Sequence, residues 1–206
     1  MEKKYILTEE TKEVGGHILH KIQAVRDFGG VQKGDLGGWV ESEENLSHDG
    51  DCWIFDNGRV FGNGEVYGNG EVSGDGKVFD NGRVYGDGRV SDNGWVFGDG
   101  KVFGNGEVYG NGRVSDDGWV FGNAKIGFNA YISSPRSYFV QGPIGSRDDF
   151  LTCYLDKDKK IYAVTGCFSG TLEEFEKKVK ETHGSNKHAK QYLKAAEMAR
   201  VMLSED

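Results

Sequence analysis

Histidine is scarce in this chain, with five in 206 residues, and none falls between positions 54 and 132. That stretch carries no imidazole for proton transfer and no three-histidine metal site. Cysteine is equally sparse. Cys52, Cys153 and Cys167 form no metal-ligand spacing, and a reducing, cytoplasmic setting is the expectation. Cys52 falls at a small interior position before Trp53 and Ile54, so it reads as core. No apolar run approaches the roughly 20 residues of a membrane span, and no apolar stretch follows the N-terminal Met-Glu-Lys-Lys. A basic excess is also missing. The net charge is −8, divided as −5 over residues 1–53, −4 over 54–132 and +1 over 133–206. That balance disfavours non-specific nucleic-acid binding.

What the chain has in abundance is glycine, 33 residues of it, in strict register. Fourteen aliphatic residues recur every six positions from Ile54, Val60 and Val66 to Ile126 and Ile132. Four residues after each but the last comes Gly (58 to 118) or Ala (124 and 130), preceded every time by Asn or Asp. A hexad such as Val66-Tyr-Gly-Asn-Gly-Glu71 is too short for a helix or a hairpin. Stacked repeats fit so fixed a period. In Gly64-Glu65-Val66-Tyr67, alternation sends Gly64 and Val66 inward and Glu65 and Tyr67 outward. Gly68 and Asn69 suit a corner that needs positive φ. Three such steps close a triangular coil of about 18 residues, and coils stack at roughly 4.8 Å.

This pattern resembles the hexapeptide-repeat, left-handed parallel β-helix. The expected fold is mainly β, with an N-terminal β cap over residues 1–53, the β-helix over 54–132, and a C-terminal ββαα piece over 133–206. In the cap, 4–8 and 18–28 read as strands around Gly15-Gly16. Gly37-Gly38-Trp39-Val40 looks like a coil edge. Beyond Ser133-Ser134-Pro135, 150–155 and 160–165 read as strands. Thr171-Leu-Glu-Glu174 is a capping box that opens a helix ending at Gly184. A second helix begins near Ser185 or Asn186, with Tyr192, Ala195, Ala199 and Met202 at apolar spacing. This piece is either a cap or a small functional domain.

Lys33-Gly-Asp-Leu-Gly-Gly-Trp-Val40, Glu43-Glu-Asn-Leu-Ser-His48, the Val-x-Gly-Asn-Gly hexads and Gly166-Cys-Phe-Ser-Gly-Thr-Leu-Glu-Glu-Phe175 together resemble a family of phage and prophage hexapeptide-repeat proteins. The resemblance implies an origin and an architecture more than an activity. This chain departs from it with Gly where relatives often have Ala, which predicts a looser prism.

Every third hexad shares a face. Face one carries Arg59/Phe61, Lys77/Phe79, Trp95/Phe97 and Arg113/Ser115. Face two carries Glu65/Tyr67, Arg83/Tyr85, Lys101/Phe103 and Trp119/Phe121. Face three is mostly polar and alternates Glu71, Arg89, Glu107 and Lys125. Stacked aromatics stabilise adjacent coils, and large aromatic faces also mark interfaces. Phe61, Tyr67, Phe79, Tyr85, Trp95, Phe97, Phe103, Trp119 and Phe121 are the interface candidates, and a homodimer or homotrimer is expected. Arg59, Arg83, Lys101 and Arg113 beside the tryptophans are candidates for an anionic, ring-bearing ligand such as a nucleotide.

Acyltransferases and certain carbonic anhydrases resemble this chain in fold, and they place histidines on the prism. With none at 54–132, the expectation is a chain that is not an enzyme and takes no cofactor or metal. Nine-residue calcium-binding β-rolls differ in period. Cys167 and His183 are weighed as a thiol dyad and read as structural. His17 and His20 point to different sides of a strand and are not expected to share a metal. The expected role is a phage-type binding protein, a counter-defence inhibitor that engages a host immune protein or its nucleotide signal. The alternatives are a phage assembly module and, less favoured, a β-helical acyltransferase.

Overall fold

The computed structural model describes residues 2–204. Its centre is a parallel β-solenoid of fourteen two-residue strands, β4 to β17, from Trp53–Ile54 to Tyr131–Ile132. They form three parallel columns. One joins β5, β8, β11, β14 and β17, a second β6, β9, β12 and β15, and a third β4, β7, β10, β13 and β16. Partners are 18 residues apart, as in Arg59↔Lys77 and Val60↔Val78. The three faces are those the hexad spacing predicts. Every repeat aliphatic from Ile54 to Ile132 is at most 1% exposed.

Turns follow the same period. The second residue after each core aliphatic from Ile54 to Ile126 takes positive φ, as at Gly62, Gly68, Asp80 and Asp92. Glycine meets this demand without strain, and Asp tolerates it. The small position is filled closely. A Cβ on Gly88 would stand 2.6 Å from the carbonyl oxygen of Val102 in the next coil. Glycine here therefore lets the backbones of adjacent coils approach closely.

Strands β1 (Tyr5–Val14), β2 (His17–Ala24) and β3 (Leu36–Val40) cap the prism. They run antiparallel to one another, and β3 then pairs in parallel with β5, through Trp39↔Arg59 and Val40↔Val60. The cap thus extends the face-one sheet to eight strands. The cap also seals the top of the core. Lys4 is wholly buried, its ammonium donating to the carbonyls of Gly50 and Cys52 at 3.2 and 2.8 Å and lying 3.1 Å from Cys52 Sγ. Asn45, also buried, donates to Gly62 and Gly64 carbonyls and so satisfies a corner.

The C-terminal region is a four-stranded antiparallel sheet of β18 (Tyr138–Ile144), β19 (Asp149–Leu155), β20 (Ile161–Thr165) and β21 (Phe168–Thr171), with helices α1 (Leu172–His183) and α2 (Lys187–Leu203). The outer strands β18 and β21 flank the two expected ones. The predicted capping box at Thr171 and Glu174 is present, as is the stop at Gly184. Met202 is a correction. It is 58% exposed, and Ala196 and Leu203 complete the buried stripe instead. The helices pack on their own sheet in a separate core. The sheet closes the last coil through an Ala130↔Asp156 bridge, a hydrogen bond from Lys125 N–H to Thr152 Oγ1, and Phe128 stacked on Tyr162 at 6.0 Å. Among the described residues, no helix is long and apolar enough to cross a membrane.

Val90 and Val96 sit mid-prism with neighbours above and below. Val90→Asp or Val96→Asp buries an unpaired carboxylate. Each should lower unfolding free energy by about 3 kcal/mol or more, measured by urea denaturation.

Candidate functional site

Aromatic residues stack along the outside as the spacing predicts. Phe61, Phe79 and Phe97 on face one lie 5.2 and 5.1 Å apart, within 5° of parallel. Tyr67, Tyr85, Phe103 and Phe121 on face two stack at 4.8, 5.0 and 5.2 Å. Each such stack contributes about 0.5–1.5 kcal/mol beyond area burial.

The faces differ in charge. On faces two and three, opposite charges meet from coil to coil: Glu65 with Arg83 at 3.3 Å, Glu71 with Arg89 at 3.4 Å, and Glu107 with Lys125 at 3.9 Å. The face-one column reads Lys21, Trp39, Arg59, Lys77, Trp95, Arg113, Tyr131 in adjacent register. It has no acid in the row. Arg59 reaches out of the row to pair with Asp75 at 2.8 Å. Cations and rings interleave instead. Lys12 and Lys21 lie 4.0 and 4.8 Å from the Trp39 ring, and Lys77 and Arg113 lie 4.5 and 4.4 Å from Trp95. A protein of net charge −8 thus concentrates positive charge on one wall.

The crowding shows in protonation. Burial first, and then the nearby Arg59 and Lys21, push Lys12 down to about 8. Burial and the charges of Arg59 and Arg113 push Lys77 down as well. The candidates chosen from sequence are therefore divided. Arg59, Trp95 and Arg113 share face one, while Arg83, Lys101 and Trp119 lie on face two, where Lys101 sits 4.8 Å from Trp119.

Toward its lower end, face one opens into a cavity of about 390 Å3. Trp95 and Tyr131 supply rings, Arg113 and Lys157 supply charge, and Asn93, Asn111 and Asn129 line one corner. Lys157 comes from the turn after β19, so the C-terminal region completes this pocket. Lys157 and Tyr131 escaped sequence reasoning, because only the docking of the final sheet brings Lys157 to face one.

At the upper end stands a histidine. His17, first residue of β2, places Nδ1 2.9 and 3.0 Å from the two carboxylate oxygens of Glu41. Its ring lies 5.1 Å from Phe61, at the head of the phenylalanine ladder. Glu41 is fixed from the other side by the Gly62 N–H at 2.8 Å. The His17 hydrogen bond, with help from Gly62, holds the Glu41 carboxyl below the usual range. With Nδ1 engaged, Nε2 is the nitrogen left for chemistry, and the side chain is 38% exposed. A carboxylate-oriented imidazole is the arrangement of a general base. His20, by contrast, points to the Thr8 carbonyl, so the two histidines do not share a site.

A second cavity, of about 350 Å3, lies in the C-terminal domain and includes both Cys167 and His183. No hydrogen bond joins these two among the described residues, and Cys167 is exposed. Among the described residues, no group of three His, Cys, Asp or Glu side chains is placed to hold a metal ion.

No family model matches the chain. It is 33% identical over 66 residues to a curated protein of Escherichia coli (strain K12), "Uncharacterized acetyltransferase YdcK". The match covers 28% of this chain and 20% of that protein. The chain therefore spans about a fifth of the length of the relative it matches. The likeness fits the hexapeptide-repeat β-helix. It overturns the expectation that the chain is not an enzyme, since the relative's name is that of an acyl-transfer enzyme. The physical ground of that expectation fails as well. It rested on a prism without histidine, and the cap strand β2 delivers His17 to face one.

Lys12 makes the electrostatics testable. An unfolded lysine holds its proton to about 10.4, whereas folded Lys12 holds it only to about 8. Between those values the unfolded state binds more protons, so stability rises with pH. The urea midpoint should climb from pH 8 to pH 10, and Lys12→Gln should flatten that climb.

Proposed function

We propose that the chain is a hexapeptide-repeat acyltransferase that works on face one. The observation that carries this reading is His17, aimed by Glu41 and mounted at the head of the Phe61–Phe79–Phe97 ladder. His17 Nε2 would take the proton from an acceptor hydroxyl or amine as its oxygen or nitrogen attacks the acyl carbon. The resulting imidazolium would return the proton to the departing thiolate. Glu41 would hold the ring and stabilise its charge.

An acyl donor with an anionic nucleotide handle suits the lower pocket. Its ring would lie against Trp95 and Tyr131, and its phosphates would meet Arg113 and Lys157. Phe61 and Trp95 are two coils apart, about 10 Å. An extended thioester arm from a coenzyme-A donor spans that distance along the ladder. The partial match to an acetyltransferase supports the same reading. Nothing in the fold or the comparisons favours the expected counter-defence role, a phage origin or an assembly module.

Thiol release from acetyl-coenzyme A with hydroxyl and amine acceptors tests the reading. His17→Gln should lower kcat about 10²–10⁴-fold, and Glu41→Gln less, with circular dichroism unchanged. Full turnover in His17→Gln would refute the role of the imidazole, and no turnover with any acceptor would refute acyl transfer.

The reading includes self-association through face two. Trp119 and Phe121 there are 39% and 43% exposed, and the C-terminal helices pack elsewhere. Large exposed aromatic faces favour burial against a second copy. Light scattering should give a dimer or trimer at micromolar concentration. Tyr85→Glu with Phe103→Glu should shift it to monomer.

A further inference from the structure

The cavity in the C-terminal domain is built from residues 146 to 192 and owes nothing to the prism wall. Its floor is apolar. Phe168 and Phe175 lie 5.5 Å apart with tilted rings, and Val179 follows one turn along α1. Tyr192 meets Phe175 edge-on at 5.6 Å. Gly166 lines the mouth. Its φ is +54°, and a Cβ there would stand 3.6 Å from both Arg147 Nη1 and Asp149 Oδ2.

The charges at this mouth are unequal in their commitments. Asp149 accepts the Phe150 N–H at 2.8 Å. Among the described residues Arg147 has no ion-pair partner, and it is exposed on a short turn before β19. Lys178 also lines the cavity, but it is paired with Glu181 at 3.8 Å. A concave apolar floor with one uncommitted guanidinium at its lip is the pattern of a small-ligand site. A guanidinium selects planar carboxylates through paired hydrogen bonds.

We propose that this cavity binds a small carboxylate with an apolar ring or branched body. The body lies on Phe168, Phe175 and Val179, and the carboxylate meets Arg147. The volume suits about ten to fifteen non-hydrogen atoms. The site is independent of acyl transfer on face one, so either proposal stands or falls without the other.

Cys167 provides the readout. It lines the cavity and is exposed, whereas Cys52 and Cys153 are buried. Burial also pushes the Cys153 thiol up to about 12, so it stays silent toward alkylation. The full chain is treated with iodoacetamide, and Cys167 modification is followed by peptide mass mapping. Phenylacetate should slow it saturably by about fivefold or more at concentrations several times its dissociation constant. Neutral phenylacetamide should protect less, and Arg147→Gln should abolish protection by phenylacetate. No protection by phenylacetate, or equal protection by cationic phenethylamine, overturns the proposal. Val179→Met fills the floor without touching charge and should weaken protection. Protection unchanged in that variant overturns the proposal even where Arg147→Gln fails to fold.

Discussion

The 18-residue register between coils governs this molecule. Each strand is two residues long and cannot stand alone. Its backbone is satisfied only by the coils above and below, as when Phe79 N–H donates to Val96 and Val96 is itself seated on Val78. Such a register stacks like on like. Valine falls on valine inside, and rings fall on rings outside. Corner amides also stack, as Asn63 Nδ2 donates to Asn81 Oδ1 at 3.1 Å. The core is one side chain deep, so stability is a nearest-neighbour property of the stack.

The register that rewards stacked rings penalises stacked charges. Face three resolves this by alternating sign from coil to coil, and face two pairs Glu65 with Arg83. Face one interleaves tryptophan among its cations instead, at Trp39 and Trp95, although Arg59 and Lys77 remain direct neighbours. The Trp95 indole receives Lys77 from one neighbouring coil and Arg113 from the other. Positive potential survives this arrangement, whereas ion pairing would cancel it. An anion arriving at face one meets a wall whose strand row holds no acid.

Much of this was legible in the sequence. The hexad period gave the inside, the outside, all three columns and the aromatic ladders, because each is set by local alternation and a fixed step. Thr171, Glu174 and Gly184 announced α1 through capping chemistry. The site was less legible. His17 and Glu41 are 24 positions apart and meet only because β2 folds antiparallel onto β3. No repeat encodes that meeting. Lys157 reaches the lower pocket through tertiary docking, which leaves no periodic trace. The flanking strands β18 and β21 lack strong alternation, with residues such as Pro143 and Gly170 in them.

Residues 72–95 and 96–119 agree at 19 of 24 positions, a copy length of four hexads on a coil of three. Each duplication therefore rotates its cargo by one face. The Lys77–Trp95 sandwich has its copy in Lys101–Trp119, turned a third of the way around the prism. There the copied tryptophan stands at the end of its column, without the second cation that Arg113 gives Trp95. Growth by such a step multiplies parts while it disperses them. A ligand site on one wall cannot be lengthened by it, yet each new copy begins on a wall where it is free to acquire another use.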